Sequence, residues 1–546
     1  MALPTQLTNS PILTRLNVIY RRAALTVTLV GLLALAGLAA RDFLAATASY
    51  GIGVRTDSVA YLWGAENLAK GLGLGRLNGL GELKPMTHWP PFYPLVLTVF
   101  ELAGMPALSG ARYLGAALVA ILLFLTGLTV WRVTRSLWFA LGAAVLLALA
   151  PSLWITSLDA MTEPLYVGLG LAGALLLDQY LAGRRRWAFV LSALCMALAF
   201  LTRYAGISLI AAAGLVLLLD GKTRISWPPT FAAFAARLKQ VGLFGALCAA
   251  PMLAWMLRNL LVTGSATNRY LDIFPIAASD WTLLWQTMGG WVFPLQAAFA
   301  IGAGKLALIG GAVVLFVVVR LVERAGHATP AGAPDPAGAQ RGAGSRLPLF
   351  YAIYTLVYPL SVVLSRLAFD RLITIFEERI AFPLLLNVLL LLVFAAWAVL
   401  RRAARLPLVV GAALVSLYVL LAWSFGVQYR VEQQRVLNNT SNSGRSLNSP
   451  AVLEDGISQQ ARALNGEHVI YTDNIEVLYF VSGHHSFQIN KVDEAELQKL
   501  RAMARDHRLT FIFFYDKASA QAIQRALPQL KLIYQDGSRA VLSMDE

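Results

Sequence analysis

The stretch AALTVTLVGLLALAGLAA, residues 23–40, contains no charged residue and decides the fold class. Roughly 20 mostly apolar helical residues cross a bilayer core about 30 Å thick, and this run approaches that length. Ten similar runs follow it along the 546 residues, at 113–131, 136–158, 164–182, 187–202, 204–219, 240–262, 300–319, 347–365, 380–400 and 406–429. The sequence therefore predicts an all-α polytopic membrane protein with about eleven transmembrane helices.

The composition supports this prediction and excludes soluble and disordered classes. Hydrophobic residues make up 58% of the chain and charged residues only 14%. In soluble domains about 45–50% of the residues are apolar and about 25% are charged. The net charge of +15 belongs to the apolar part, because residues 1–425 hold 32 basic and 16 acidic residues while residues 426–546 hold 13 and 14. No dense basic face on a soluble domain is indicated, so a nucleic-acid partner is not expected.

Basic residues between the apolar runs predict the orientation. Alternate segments together hold 19 Lys and Arg but only 3 acidic residues, at 1–22, 132–137, 183–187, 220–239, 320–347 and 401–405. Because cytoplasmic loops of membrane proteins carry an excess of Lys and Arg, we predict that these segments are cytoplasmic. The N-terminus is then cytoplasmic, and the loop 41–112 and residues 430–546 are extracytoplasmic.

Residues 430–546 differ in kind from residues 1–429, so the sequence predicts two domains. The C-terminal part alternates strand-like and helix-like stretches, with strands at 468–473, 509–515, 530–536 and 539–544 and helices at 493–506 and 518–526. This alternation predicts a small α/β domain. It contains no glycine-rich phosphate-binding loop, and we favour a structural or recognition role over catalysis.

The first outer loop, 41–112, contains RTDSVAYLWGAENLAKGLGLG at 55–75. Asp57 opens a short apolar helix there, which we expect to be amphipathic and to lie on the membrane surface. An aspartate before a helix is commonly an N-cap, and a carboxylate at this place would also face a lipid-linked substrate. Both interpretations of Asp57 are consistent with the sequence.

A second acidic stretch, SLDAMTEPLYVGL at 157–169, lies where one apolar run ends and the next begins. Asp159 and Glu163 precede Pro164, and ordinary helix-start chemistry explains one acid in this position. Two acids on the same side of the membrane as Asp57 form a candidate catalytic group.

Four basic residues at the predicted outer edge are candidate ligands for an anion: Lys84, Arg203, Arg258 and Arg379. An arginine at membrane depth is costly and is usually paired or functional, although snorkelling is an alternative. Planar guanidinium groups bind phosphate oxygens in pairs. The spacing of the histidines, His88 included, predicts no zinc site, and His88 itself is expected to pack in its loop. We therefore predict no cofactor from the sequence.

Several motifs occur in one order: TDSVAYLWGAENLAKGLGL, THWPPFYPLVL, LDAMTEPLYVGL, LTRYAGI and EERIAFPLLL. In this series, over roughly residues 40–425, the chain resembles the bacterial GT-C glycosyltransferases that use polyprenyl-phosphate donors, among them protein O-mannosyltransferases and the lipid A aminoarabinose transferase. The resemblance implies a GT-C fold in the inner (plasma) membrane. It also implies that the outer domain is one of the variable C-terminal modules of this group.

The resemblance assigns roles to individual residues. Asp57 matches the family's first-loop catalytic acid, and Asp159 and Glu163 match the second acidic loop that lines its cavity. Arg203, Arg258 and Arg379 fall near phosphate-binding or cavity-lining positions, and Lys84 joins them as a donor-phosphate ligand. Tyr61 and His88 are expected to line the cavity.

The implied activity is that of a hexosyl- or pentosyltransferase. It moves a sugar from a polyprenyl-phosphate donor to a hydroxyl of a glycan, lipid or protein acceptor on the outer face, with Asp57 as general base. The single aspartate before Ser58, in place of the Asp-Glu pair of protein O-mannosyltransferases, weakens the case for a protein acceptor. Two alternatives remain: a transporter or flippase for lipid-linked glycans, and an oligosaccharide ligase with a lipid-pyrophosphate donor.

Overall fold

The computed structural model describes residues 11–219, 231–269, 271–292, 345–369, 377–403, 408–464 and 468–544. The helices of the membrane part, in chain order, are α1 Pro11–Ala46, α2 Thr56–Ala69, α3 Phe92–Leu102, α4 Ala107–Thr134, α5 Leu137–Leu149, α6 Pro151–Ser157, α7 Glu163–Gly183, α8 Arg186–Thr202, α9 Ile207–Leu219, α10 Phe231–Thr263, α11 Ala278–Val292, α12 Leu347–Phe369, α13 Glu378–Ala403 and α14 Leu408–Ser443.

The polytopic α-helical class is confirmed. Within the described residues, six helices are long and apolar enough to cross a membrane: Arg22–Ala46, Ala107–Thr134, Glu163–Gly183, Phe234–Thr263, Leu347–Phe369 and Glu378–Arg401. A bent pair of helices raises this number to seven if the two are counted as one span. The predicted run 300–319 lies outside the described residues.

Two predicted spans differ in shape from a straight helix. The run 136–158 is broken into α5 and α6, which meet at an angle of 59°. Pro151 causes the break, because proline cannot donate to the preceding turn and forces the residue before it out of the helical region; Ala150 has φ −64° and ψ 118°. The runs 187–202 and 204–219 form the short helices α8 and α9, with Arg203 between them in an extended conformation.

The predicted surface helix α2 does not have an exposed polar face. Nine of its residues are buried, among them Tyr61, Trp63 and Asn67. It packs on one side against α3 and on the other against a helix of the C-terminal domain, Ile475–Ser482. The expectation of an amphipathic helix is therefore wrong, because most of the helix is buried and a helix of the C-terminal domain packs against it. A hairpin of β1 (Gly75–Leu77) and β2 (Leu83–Pro85) follows α2.

The C-terminal residues form the predicted α/β structure. Its helices are α15 Pro450–Leu453, α16 Gly456–Ala463, α17 Ile475–Ser482, α18 Glu494–Asp506 and α19 Lys517–Ala526, and its strands are β3 Val469–Thr472, β4 Phe487–Gln488, β5 Leu509–Phe513, β6 Lys531–Asp536 and β7 Arg539–Ser543. The strand order is β4-β3-β5-β7-β6, with β3 parallel to β4 and β5, and β7 antiparallel to its neighbours. The four predicted strands are confirmed. The sequence did not predict β4, because a strand of only two residues is too short to show an alternation of apolar and polar side chains.

Stacked rings fix the C-terminal domain to the first loop. The rings of Trp63 in α2 and Tyr479 in α17 lie 3.8 Å apart and within 4° of parallel. The Tyr479 hydroxyl donates to Glu66 Oε2 at 2.6 Å. Arg76 in the hairpin pairs with Glu476 of α17 at 3.4 Å. The first loop is thus held between the membrane helices and the C-terminal domain.

Candidate active site

The site is built around residues 53–57, where three distant parts of the chain meet. Gly53 bridges to Asp159, and Val54 bridges to Ser446 in the segment after α14. A side chain at position 53 would overlap the Asp159 carboxylate and come within 2.8 Å of the Arg445 Cβ. Glycine is required at this position because the backbone and the carboxylate approach so closely.

Asp57 lies in the first turn of α2, where the helix dipole favours a negative charge. The N-cap interpretation is wrong, because the residue in the cap position is Arg55. Asp57 Oδ2 accepts a hydrogen bond from Arg379 Nη1 at 3.3 Å. With 34% of its side chain exposed, Asp57 is open to a substrate.

Asp159 is almost completely buried and lies between two arginines. Arg55 Nε donates to its Oδ2 at 2.9 Å, and Arg445 Nε donates to its Oδ1 at 3.1 Å. Burial alone would raise the pKa of Asp159, but Arg445 and Arg55 outweigh it and hold that pKa below its usual value. Asp159 therefore remains a carboxylate and orients the arginines on either side of it.

Glu163, the first residue of α7, is also buried, with 1% of its side chain exposed. Its Oε1 lies 2.6 Å from Arg203 Nη1 and 4.0 Å from Arg379 Nη1. Arg203 Nη1 also donates to Thr162 Oγ1 at 3.0 Å. The structure thus brings together Asp57, Glu163 and two of the predicted basic residues.

Three members of this site were not predicted from the sequence: Arg55, Glu377 and Arg445. Glu377 joins the two halves of the site, because its Oε1 accepts from Arg55 Nη1 at 2.6 Å and its Oε2 accepts from Arg379 Nε at 3.0 Å. Burial raises the pKa of Glu377, but Arg379 and Arg55 together hold it below its ordinary value. Arg55 lies in the motif that contains Asp57, and Glu377 lies in the motif EERIAFPLLL that contains Arg379. An opposite charge close to each predicted residue was therefore the signal that the sequence offered.

Arg258 and Lys84 lie apart from these carboxylates, beside the segment 84–89. Arg258 Nη1 donates to Met86 O at 3.0 Å, and its guanidinium lies 4.9 Å from the Trp255 ring centroid. Lys84 has 56% of its side chain exposed, and its nearest described carboxylate oxygen, on Glu82, is 3.4 Å away. Lys84 belongs to this stretch of the first loop, and Arg258 in α10 contacts the same stretch at Met86.

Aromatic rings connect this cationic stretch to the carboxylates. His88 contacts Trp89 edge to face at 4.9 Å, and Trp89 contacts Tyr61 at 6.2 Å. Tyr61 is buried, and its burial together with the nearby charge of Asp57 raises the pKa of its phenol well above the usual value. Tyr61 and His88 thus belong to one group of contacting rings around Trp89.

The charges of the site balance. Four arginines pair with four carboxylates, namely Arg55, Arg203, Arg379 and Arg445 with Asp57, Asp159, Glu163 and Glu377. Asp57 is the most exposed of the carboxylates, whereas Asp159 and Glu163 lie beneath it. The arrangement offers two partly exposed carboxylates, Asp57 and Glu377, which are held in place by paired arginines. Within the described residues, no group of three or more His, Cys, Asp and Glu side chains could hold a metal ion.

No family model and no curated protein matches the sequence. Solved structures do match. ArnT from Cupriavidus metallidurans bound to undecaprenyl phosphate is similar with a TM-score of 0.53 and 14% identity, over 94% of this chain and 97% of ArnT. The Archaeoglobus fulgidus oligosaccharyltransferase in complex with zinc and sulfate is similar with a TM-score of 0.50 and 10% identity, over 93% of this chain and 72% of that enzyme. Both are GT-C glycosyltransferases.

The chain has the GT-C fold. The predicted fold family is therefore confirmed, and the similarity extends over the membrane helices and the C-terminal domain. In this GT-C chain the carboxylates and arginines lie where the membrane helices meet the C-terminal domain. At 14% identity the similarity defines the fold, and the roles of individual residues are argued from the geometry.

Proposed function

We propose that this protein is a membrane glycosyltransferase that moves a sugar from a polyprenyl-phosphate donor to an acceptor hydroxyl, with Asp57 as general base. The observation that carries the proposal is the accessible Asp57 carboxylate, held by Arg379 above the buried Glu163 and Asp159. A positioned base of this kind typically contributes 10²–10⁴-fold to a rate. Direct displacement by the activated hydroxyl would invert the anomeric centre.

The donor phosphate is proposed to contact Arg258 and Lys84 first. No described carboxylate forms an ion pair with Arg258, and Lys84 makes only a long, exposed contact to Glu82. Arg203 and Arg379 are already neutralised by Glu163, Asp57 and Glu377. Positive charge without a close acidic partner is what stabilises a departing phosphate. Arg258, and Lys84 with its long exposed contact to Glu82, are therefore better suited to that task. Undecaprenyl phosphate, found with ArnT, is a suitable probe.

The proposed activity predicts a specific lipid phenotype. A strain that lacks the protein should accumulate a polyprenyl-phosphate sugar, because the donor is made but not consumed. Lipid extraction followed by mass spectrometry measures it, and re-expression of the intact chain should remove it. Accumulation of a lipid-pyrophosphate glycan would support the oligosaccharide ligase instead, and an unchanged lipid profile would argue against both.

The site is proposed to lie on the extracytoplasmic side of the inner membrane. The basic segments predicted to be cytoplasmic include Arg132 near the end of α4, Arg184 and Arg185 between α7 and α8, and Arg186 at the start of α8. These segments lie at the opposite helix ends from Asp57 and Glu163, since Glu163 begins α7 and Gly183 ends it. A reporter that is active only in the cytoplasm, fused after Glu546, should be silent. Strong activity there would reverse the orientation.

A further inference from the structure

A short segment after the last membrane helix is built into the wall of the site. α14 ends at Ser443, and Gly444 has φ +65°, a left-handed conformation that lets the chain turn sharply. Leu447 N then donates to Val54 O at 2.9 Å, and Asn448 Nδ2 donates to Ile52 O at 3.0 Å. Residues 445–448 therefore lie beside residues 52–54 like an added strand.

This backbone pairing directs Arg445 at Asp159. The guanidinium forms a two-pronged contact, with Nε to Oδ1 at 3.1 Å and Nη2 to Oδ2 at 3.2 Å. Nη2 also donates to Ile155 O at 3.1 Å. A planar fork of this kind fixes the direction of a carboxylate as well as its charge. Asp159 cannot rotate without breaking both prongs.

A continuous series of ion pairs runs from Arg445 through Asp159 to Asp57. We name this series the ion-pair chain; its members alternate in charge in the order Arg445, Asp159, Arg55, Glu377, Arg379 and Asp57. The successive contacts measure 3.1, 2.9, 2.6, 3.0 and 3.3 Å. Each of the four inner side chains contacts the member on either side of it. The orientation of Asp57 at one end therefore depends on that of Arg445 at the other end.

We propose that Arg445 is a positioning residue of the active site, which acts through the ion-pair chain to hold Asp57 toward the acceptor hydroxyl. This inference rests on the proposed function of Asp57. Arg55 is shared between Asp159 and Glu377, whereas Arg445 adds the two-pronged contact that fixes the direction of the Asp159 carboxylate. Its contribution is geometric: it fixes the carboxylate from which Arg55 and Glu377 take their orientation.

The experiment measures turnover of the Arg445→Gln and Arg445→Lys variants. The donor is the polyprenyl-phosphate sugar purified from the strain that lacks the protein, presented in detergent with the full chain. We expect the kcat to fall about tenfold for both, within the hundredfold that a misplacement of about 1 Å can cost. Lysine keeps the charge but loses the fork, so it should not restore the kcat. The KM for the donor should stay near the parent value. The melting temperature should fall, because the buried Asp159 loses one of its two arginines, so the kcat is measured at a temperature well below the melting transition of each variant.

A matched control separates positioning from folding. Arg539 pairs with Asp455 inside the C-terminal domain, away from the ion-pair chain, so Arg539→Gln should keep the parent kcat. In the Asp57→Asn background, Arg445→Gln should cause no further loss, because the group through which it acts is gone. A purely structural role would lower the rate again in that background and would overturn the inference.

The remaining outcomes are also decisive. A normal kcat in Arg445→Gln, or a kcat fully restored in Arg445→Lys, would reject the positioning role. If the strain accumulates no donor lipid, the proposed function itself fails. If the lipid accumulates and Arg445→Gln turns it over normally, only the role of Arg445 fails.

Discussion

Replacing Asp57 by asparagine should lower the rate of glycosyl transfer by a factor on the order of 10² or more, because an amide cannot accept the acceptor's proton. The variant should still fold. Asp57 is 34% exposed and shares Arg379 with Glu377 and Glu163, so its charge contributes little to stability. Detergent-extracted protein should melt close to the parent and still bind undecaprenyl phosphate.

Asp42→Asn provides a matched control for this prediction. Asp42 lies near the end of α1, within the predicted outer segment 41–112, and pairs with Arg41 at 2.8 Å, but it belongs to an exposed pair outside the site. It should transfer sugar at the parent rate. A fully active Asp57→Asn enzyme would contradict the assignment and would direct attention to Asp159 and Glu163, the other predicted carboxylates.

The sequence predicts the local features of this protein well. Apolar runs of membrane length and the alternation in the C-terminal part depend on residues that are neighbours in the chain. The acids Asp57 and Glu163 were recognised for the same reason, since each begins a helix next to a distinctive motif. Lys84 and Arg258 were predicted as basic residues at the outer membrane edge, and the contact of Arg258 with Met86 was not visible in the sequence.

The ion-pair chain could not be predicted in this way. Arg55 and Glu377 are separated by 322 residues, and Arg445 and Asp159 by 286. Such pairs exist only when the first loop, two membrane helices and the segment after α14 come together. A single sequence contains opposite charges in many places, and nothing in their spacing states which of them meet. The wrong prediction for α2 has the same origin, because its covering helix α17 lies 400 residues further along.

The charge balance of the site has a consequence for catalysis. In the carboxylate cluster every arginine has an acidic partner, so an incoming phosphate would have to displace Glu163 from Arg203, or Asp57 and Glu377 from Arg379. Displacing the partner of a buried carboxylate is expensive, since it leaves a desolvated charge behind. A phosphate that binds Arg258 displaces no carboxylate among the described residues, so its binding has no such cost. Its acceptors are a backbone carbonyl and the Asn259 side chain, both neutral.

Removing the Arg258 guanidinium should therefore weaken donor binding more than altering Arg203. Arg258→Gln should reduce the affinity for undecaprenyl phosphate about tenfold, which corresponds to about 1.4 kcal/mol and is typical of a lost charge-assisted hydrogen bond. Lys84→Gln should add a smaller loss, because exposed charges are screened by solvent. Arg203→Lys keeps the charge beside Glu163 and should leave the affinity within about twofold of the parent. Titration of the lipid in detergent, followed by tryptophan fluorescence, measures all three.

Arg112 offers the control, because it also donates to a backbone carbonyl, Leu44 O at 2.8 Å, and lies over a ring, that of Tyr113. Arg112→Gln removes the same charge and the same kinds of contact outside the segment 84–89, so it should bind the lipid normally. The opposite pattern, with Arg258→Gln unaffected and Arg203→Lys weakened tenfold, would place the phosphate among the carboxylates. In that case the donor must break the Arg203–Glu163 pair on entry. Because that pair is buried, binding of the lipid should depend less on the salt concentration than the present assignment, with its exposed Lys84, expects.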